Sequence, residues 1–177
     1  MSASLGLDAA VIEDVLNGRE GVSIANYNCP GQIVITGEAK AVAEAGTALK
    51  EAGARRVLPL KVSGPFHSPM MRPAGEELAK VFARVSMNPL KISYVANINA
   101  EVITDCGRIE GLLVEQVSGS VRWQQSVETM IREGVDTFVE IGPGKTLTGF
   151  LRKIDKNVKA YHIGSWEEAV QVCEELK

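Results

Sequence analysis

The sequence predicts a mixed α/β chain in two parts, an α+β unit over residues 1–62 followed by a parallel α/β layer over residues 63–177. Three observations predict it. Strand-like and helix-like runs fill the first sixty residues in the order β-α-β-β-α-β. After His67 the rhythm changes to helices alternating with strands, the pattern of a parallel layer. The composition, 45% hydrophobic and 23% charged over 177 residues, suits one globular domain or two small ones.

Taken in order, "SASLGL" is a short strand, and Asp8 stands where it can cap a helix from Ala9 to Asn17. Val11, Ile12, Val15 and Leu16 form that helix's apolar stripe and Gly18 its stop. "GVSIANYN" and "GQIVITG" read as two strands joined by the turn residues "CPG". A second helix runs from Glu38 to about Ala52, with Val42, Ala45, Leu49 and Ala52 at helical spacing. Gly53 ends it, and "RRVLPLKVS" returns as a strand. The order is that of a ferredoxin-like split βαβ unit.

Met71, Ala74, Leu78, Val81 and Val85 then mark one face of a helix. Pro73 cannot donate a helical hydrogen bond, so regular helix is expected from Arg72, with 68–71 as a lead-in turn. "ISYVANINA" is a strand. Helices are expected over 108–117 and 122–133, the second with Trp123, Val127, Met130 and Ile131 inward. "TFVEIGPGKTLTGFL" predicts a buried strand, a Gly-Pro-Gly turn, and a helix carrying Leu147, Phe150, Leu151 and Ile154 on one side. The tail opens on a capping-box pattern, Ser165 to Glu168. This layer is short of strands. Only "ISYVANI" and "TFVEI" are clear, a two-stranded sheet is marginal alone, and parallel strands need cover on both faces. Either it takes strands from the first unit or part of the sheet is encoded elsewhere; the second is expected.

The net charge of −3 argues against a nucleic-acid binder. No run approaches ~18 apolar residues, so no membrane span is expected. "MSASLGLDAA" lacks the basic and apolar regions of a signal peptide. Cys29, Cys106 and Cys173 fit neither a disulfide framework nor a metal clip, and a cytoplasmic location is expected. No motif calls for a cofactor.

His67, between a strand-like run and a helix, is placed to be both firmly held and reachable, as a general base must be. Capping or packing alone explains it equally well. His162, at the end of the strand-like "KAYHI", reads as structural. A histidine base needs a nucleophile and a group to orient its ring. No GxSxG serine elbow occurs in the 177 residues, and Ser63 and Ser68 are not on such an elbow. Cys29 lies in a turn that allows exposure, but nothing nearby in sequence lowers its pKa. "EIGPGKT" fails the phosphate-loop spacing and reads as a tight turn where glycine allows backbones to approach closely. Lys145 and the free amides at that helix start could attract an anion.

The stretches "NYNCPGQIVITG", "AGARRVLPLKVSGPFHSPMM", "VANINAEV", "SVRWQQSVETMI" and "EIGPGKTLTGFLRKI" together resemble the malonyl-CoA:acyl-carrier-protein transacylase family of fatty acid synthesis, in the family's order over residues 1–155. The resemblance implies an α/β-hydrolase-like large subdomain with an inserted ferredoxin-like small one. Residues 1–62 would be the small subdomain and 63–177 the C-terminal part of the large one. It implies a ping-pong transfer of malonyl from CoA to the carrier protein's phosphopantetheine thiol, through a serine in a GHSxG elbow. His67 matches the histidine that activates that serine, and the main-chain carbonyl of Gln116 the group that holds its ring. Asn28 and Gln32 align with polar cleft positions that contact CoA or the acyl group, although turn chemistry alone also explains them. Phe66 matches a position whose size is associated with malonyl over bulkier units.

The family's serine elbow, its glutamine-rich oxyanion segment and its malonate-binding arginine have no counterpart here, so these 177 residues alone are expected to be inactive. The chain is expected to be a fragment, a truncated product, or one of two polypeptides. A non-catalytic ferredoxin-like binding module is the alternative. Lys145, Arg152, Lys153, Lys156 and Lys159 against Asp155 form a basic face in an acidic chain. Acyl carrier proteins are acidic, so Lys153 and Lys156 are candidate docking residues; an ordinary solvated helix face is the other reading.

Overall fold

The computed structural model describes residues 1–176. Its first unit contains β1 (Ser2–Leu5), α1 (Ala9–Leu16), β2 (Val22–Cys29), β3 (Gln32–Gly37), α2 (Ala39–Glu51) and β4 (Arg56–Pro59). The element order is the one the periodicities predict. The strands form one antiparallel sheet in the order β2-β3-β1-β4, so β1 and β3 are central. On one face, Ile24, Ile33 and Ile35 pack with Leu7, Ile12, Val42, Ala45 and Leu49 in the main core. The other face buries the small cluster Ala3, Ala25 and Val34, and the helices α5 (Trp123–Arg132) and α6 (Thr146–Ile154) lie against β2. Asp8 occupies the N-cap of α1, but its side chain makes no capping bond; its carbonyl accepts from Ile12 N–H at 3.2 Å.

The edge strand β2 is covered by the segment around Val121. Val121 N–H donates to the Ala25 carbonyl at 2.7 Å and its own carbonyl accepts from Tyr27 N–H at 2.9 Å. Unpaired edges invite association, and this bridge closes one while tying the two parts of the chain together. Tyr27 adds to the seam. Burial, followed by the bond its hydroxyl donates to Glu13, pushes its pKa up to about 12.

After a 3₁₀ turn at Pro69–Met71, α3 (Arg72–Phe82) starts where Pro73 predicts. Its inward stripe is Met71, Gly75, Leu78 and Phe82, and the expected Ala74, Val81 and Val85 are exposed. The physical reason is Gly75. A Cβ there would lie 3.1 Å from the Val114 carbonyl, so the bare backbone lets α4 (Ile109–Ser118) approach and turns α3 onto its glycine side.

"ISYVANINA" departs further from expectation. Only β5 (Tyr94–Val95) is strand, and it pairs antiparallel with β6 (Val102–Ile103). The polar Asn97–Ala100 stretch turns the chain back, closed by Ala96 N–H on the Glu101 carbonyl and Ala100 N–H on that of Ala96. The parallel pair is β7 (Thr137–Ile141) with β8 (Lys159–Ile163), flanked by α5 (Trp123–Arg132), α6 (Thr146–Ile154) and α7 (Trp166–Glu175). In α5 the buried positions are Ser126, Val127 and Thr129. The two hydroxyls are satisfied by the carbonyls of Arg122 and Ala100, at 2.8 and 2.9 Å. The parallel sheet stays two-stranded, and Ile141 is 78% exposed at the end of β7. No helix among the described residues is long and apolar enough to cross a membrane.

Candidate active site

The turn before α3 holds His67 with φ of 57°, in the left-handed region that a side chain with a Cβ enters only when its surroundings impose it. Ser68, 1% exposed, imposes it in part: its hydroxyl donates to the Pro65 carbonyl at 2.6 Å and closes the turn. From sequence Ser68 is readable only as a poor candidate nucleophile; in the fold its buried hydroxyl is committed to this turn.

His67 Nδ1 lies 3.1 Å from the carbonyl oxygen of Gln116, which is 49 positions away in sequence. Gln116 sits in the last turn of α4, where helices leave their final carbonyls without intrahelical partners. With that carbonyl as acceptor, Nδ1 carries the hydrogen and the lone pair is on Nε2. The half-buried imidazole is thus oriented by a dipole that brings no full charge. Phe66, 41% exposed, adjoins it.

The other predicted residues lie on the β2–β3 hairpin and on or just after α6. Asn28 and Gln32 flank the turn of the β2–β3 hairpin, at the opposite end of that ladder from the Val22–Gly37 pair. Val22 and Gly37 border Ser68 and Met70 in a small cavity. Lys153 is close enough to Cys29, beside that hairpin turn, to act on its thiol. Cys29 itself is buried, contrary to the exposure its turn setting allowed, and burial pushes its thiol up, against a smaller downward pull from Lys153. Lys153 and Lys156 are exposed on and just after α6.

The Gly-Pro-Gly turn also differs from its reading in the sequence. Gly142 and Gly144 have φ of 140° and 86°, and neither has another atom within 4 Å of an added Cβ, so handedness rather than close approach requires them. The expected anion site at the start of α6 is filled from within. Glu140 accepts from Leu147 N–H at 3.0 Å, Thr148 N–H at 2.7 Å and the Thr148 hydroxyl at 2.6 Å. Burial raises this carboxyl's pKa, but the three hydrogen bonds and nearby His162 outweigh it and hold it below the usual carboxylate range. Lys145, at the N-cap, has no capping side chain, a sequence signal that another residue must serve. A depressed carboxylate stabilises above its unfolded value, ~4.3, and the contribution is lost as pH falls through the lower folded value. Glu140→Gln is therefore expected to cost about 1 kcal/mol at neutral pH and to remove that part of the acid-induced loss, as read by denaturant unfolding at pH 7 and pH 3.

His162 is structural, in agreement with its reading from sequence. Its side chain is 10% exposed, with Nε2 2.9 Å from the Gly142 carbonyl and Nδ1 3.4 Å from the Glu168 carboxylate. Glu168 departs from the expected capping box. Its N–H donates to the Ser165 hydroxyl, but its carboxylate reaches one residue further back to Gly164 N–H at 2.6 Å.

The family profile described as the acyl transferase domain matches residues 2–172. The chain belongs to the acyl transferase domain family. It is 41% identical over 181 aligned positions to the malonyl CoA-acyl carrier protein transacylase of Bacillus subtilis (strain 168), covering 100% of this chain and 57% of that protein. The crystal structure of MCAT from Streptococcus pneumoniae superposes with a TM-score of 0.93 at 41% identity, over 98% of this chain and 58% of that one. A malonyl-transacylase solved in complex with a type II PKS acyl-carrier protein matches with a TM-score of 0.91 at 35% identity, over 98% of this chain and 57% of that one. This acyl transferase domain chain therefore spans somewhat over half the length of these relatives.

Proposed function

We propose that this chain is the histidine-bearing part of a malonyl-CoA:acyl-carrier-protein transacylase, with His67 acting as base to a serine carried on polypeptide outside these 177 residues. The observation that carries the reading is the contact of His67 Nδ1 with the Gln116 carbonyl, because it leaves Nε2 as the nitrogen that takes a proton. The names borne by its relatives agree with it. As the serine oxygen bonds to the thioester carbon, Nε2 takes the hydroxyl proton. The C–S bond then breaks and the CoA thiolate leaves with that proton. In the second half the pantetheine thiol gives its proton to Nε2 as its sulfur bonds to the ester carbon; the C–O bond then breaks and the serine oxygen takes that proton back from Nε2. The three free cysteines fit a reducing, cytoplasmic setting.

In this reading residues 1–62 are a ferredoxin-like small subdomain, supported by the order β2-β3-β1-β4, and residues 63–177 are the C-terminal part of an α/β-hydrolase-like large one. The two-stranded β7–β8 pair and uncovered Ile141 fit a sheet completed by the serine-bearing polypeptide. Phe66 limits acyl size beside His67, and Asn28 and Gln32 contact CoA or the acyl group from the hairpin end. Lys153 and Lys156 dock the acidic carrier protein; a related transacylase is solved with its carrier protein bound. Reversing both charges in the complete enzyme is expected to raise KM for carrier protein and not for malonyl-CoA, and equal effects on both would remove the docking assignment.

The deciding experiment is intact-mass spectrometry after incubation with malonyl-CoA. The chain alone is expected to gain no mass, and a mixture with the serine-bearing portion of a related transacylase is expected to carry malonyl on the added polypeptide. A malonyl adduct on this chain would show that it has its own nucleophile. No adduct in a mixture that co-elutes as a complex would leave the binding-module reading.

A further inference from the structure

A carbonyl at a helix end is aimed only as well as the residues after it are held. In α4 the Gly119 N–H donates to the Glu115 carbonyl at 2.9 Å, and the next carbonyl, that of Gln116, is left for His67. Side chains fasten the segment from Gly119 to Val121. Gln116 Nε2 donates to the carbonyls of Gly119 and Ser120, at 3.0 and 3.3 Å. The Ser120 hydroxyl donates to the Ile24 carbonyl in β2 at 2.6 Å, and Val121 N–H to that of Ala25 at 2.7 Å. Hydrogen bonds thus link the first sheet, through Ser120, to the side chain of the residue whose carbonyl faces the imidazole.

We propose that the Gln116 side-chain amide and the Ser120 hydroxyl are positioning residues for His67. They lock the end of α4 to β2, keep the Gln116 carbonyl on Nδ1–H, and so hold the ring in the tautomer with a free Nε2. Gln116 acts twice, through its main-chain oxygen and through its amide. Its Oε1 is buried without a partner, so replacing the amide by an apolar chain of similar length removes an orphan acceptor while taking a donor from each of the Gly119 and Ser120 carbonyls. The consequence for transfer rests on the function proposed above; the tautomer does not.

The test is the tautomer of His67 by ¹⁵N–¹H correlation NMR on ¹⁵N-histidine-labelled chain, at a pH where both rings are neutral, with His67→Gln to assign the signals. The wild type is expected to show the Nδ1–H form. In Gln116→Met and Ser120→Ala the ratio of Nδ1–H to Nε2–H is expected to fall about fivefold, equivalent to ~1 kcal/mol. Ser120→Thr, which keeps the hydroxyl, should restore it. The tautomer of His162, held separately on β8, should not move. An unchanged His67 tautomer in both variants would overturn the inference. If Ser120→Ala does not fold, Gln116→Met, which breaks no bond to β2, decides alone. A shifted tautomer combined with undiminished transfer in the serine-bearing assembly would overturn the role given to His67 and leave its positioning intact.

Discussion

His67→Ala is expected to slow malonyl transfer by about 10²–10⁴-fold in an assembly that supplies the serine. The loss should fall on kcat, with KM for malonyl-CoA little changed, because the imidazole moves protons and does not grip the CoA. The geometry supports an effect of this size. The ring is held on one side by a turn that keeps residue 67 at φ of 57° and on the other by the Gln116 carbonyl at 3.1 Å. Local strain of this kind costs about 1–3 kcal/mol and persists where the surroundings over-determine it. Steady-state kinetics of malonyl-CoA consumption check the prediction. A loss of only a few-fold would mean that another group takes the serine proton, and His67 would revert to a packing residue.

The largest effect on stability is expected from Ile35→Ala. Ile35 is fully buried in the central strand β3, within the cluster that contains Ile12 and Leu49. Removing it leaves a cavity between the sheet and the two helices, and such truncations cost about 2–5 kcal/mol. Denaturant unfolding should show the midpoint fall with the slope unchanged. Val81→Ala is the matched control: Val81 is 57% exposed on α3, and surface changes usually stay within about ±0.5 kcal/mol. Similar costs for the two would mean that the first sheet is not the centre of stability.

How far the site is legible varies residue by residue. His67 stands out as one of two histidines, at a strand-to-helix junction next to Pro65 and Pro69. The Gln116 carbonyl is legible only through resemblance to a family, since every residue has a carbonyl and composition says nothing of which one is left free. Ser120 carries no signal at all; its role comes from the Ile24 carbonyl 96 positions earlier. Glu140 is intermediate. A carboxylate before a turn, followed by a helix whose N-cap is lysine, is a readable pattern, but the amides that Glu140 fills draw the eye instead to an outside anion.

The sequence by itself determined the order of elements in the first unit and the start of α3 at Arg72. These follow from local rules, the period of apolar residues and the backbone limits of proline and glycine, which act within a few positions. Only the tertiary structure decided that "ISYVANI" pairs with Val102–Ile103 and not with a parallel neighbour, that Gly75 rather than Val81 faces α4, and that Gln116 faces His67. Each of those depends on which of several locally acceptable partners the packed chain brings within hydrogen-bond or van der Waals reach, and that choice is made by burial across the whole molecule.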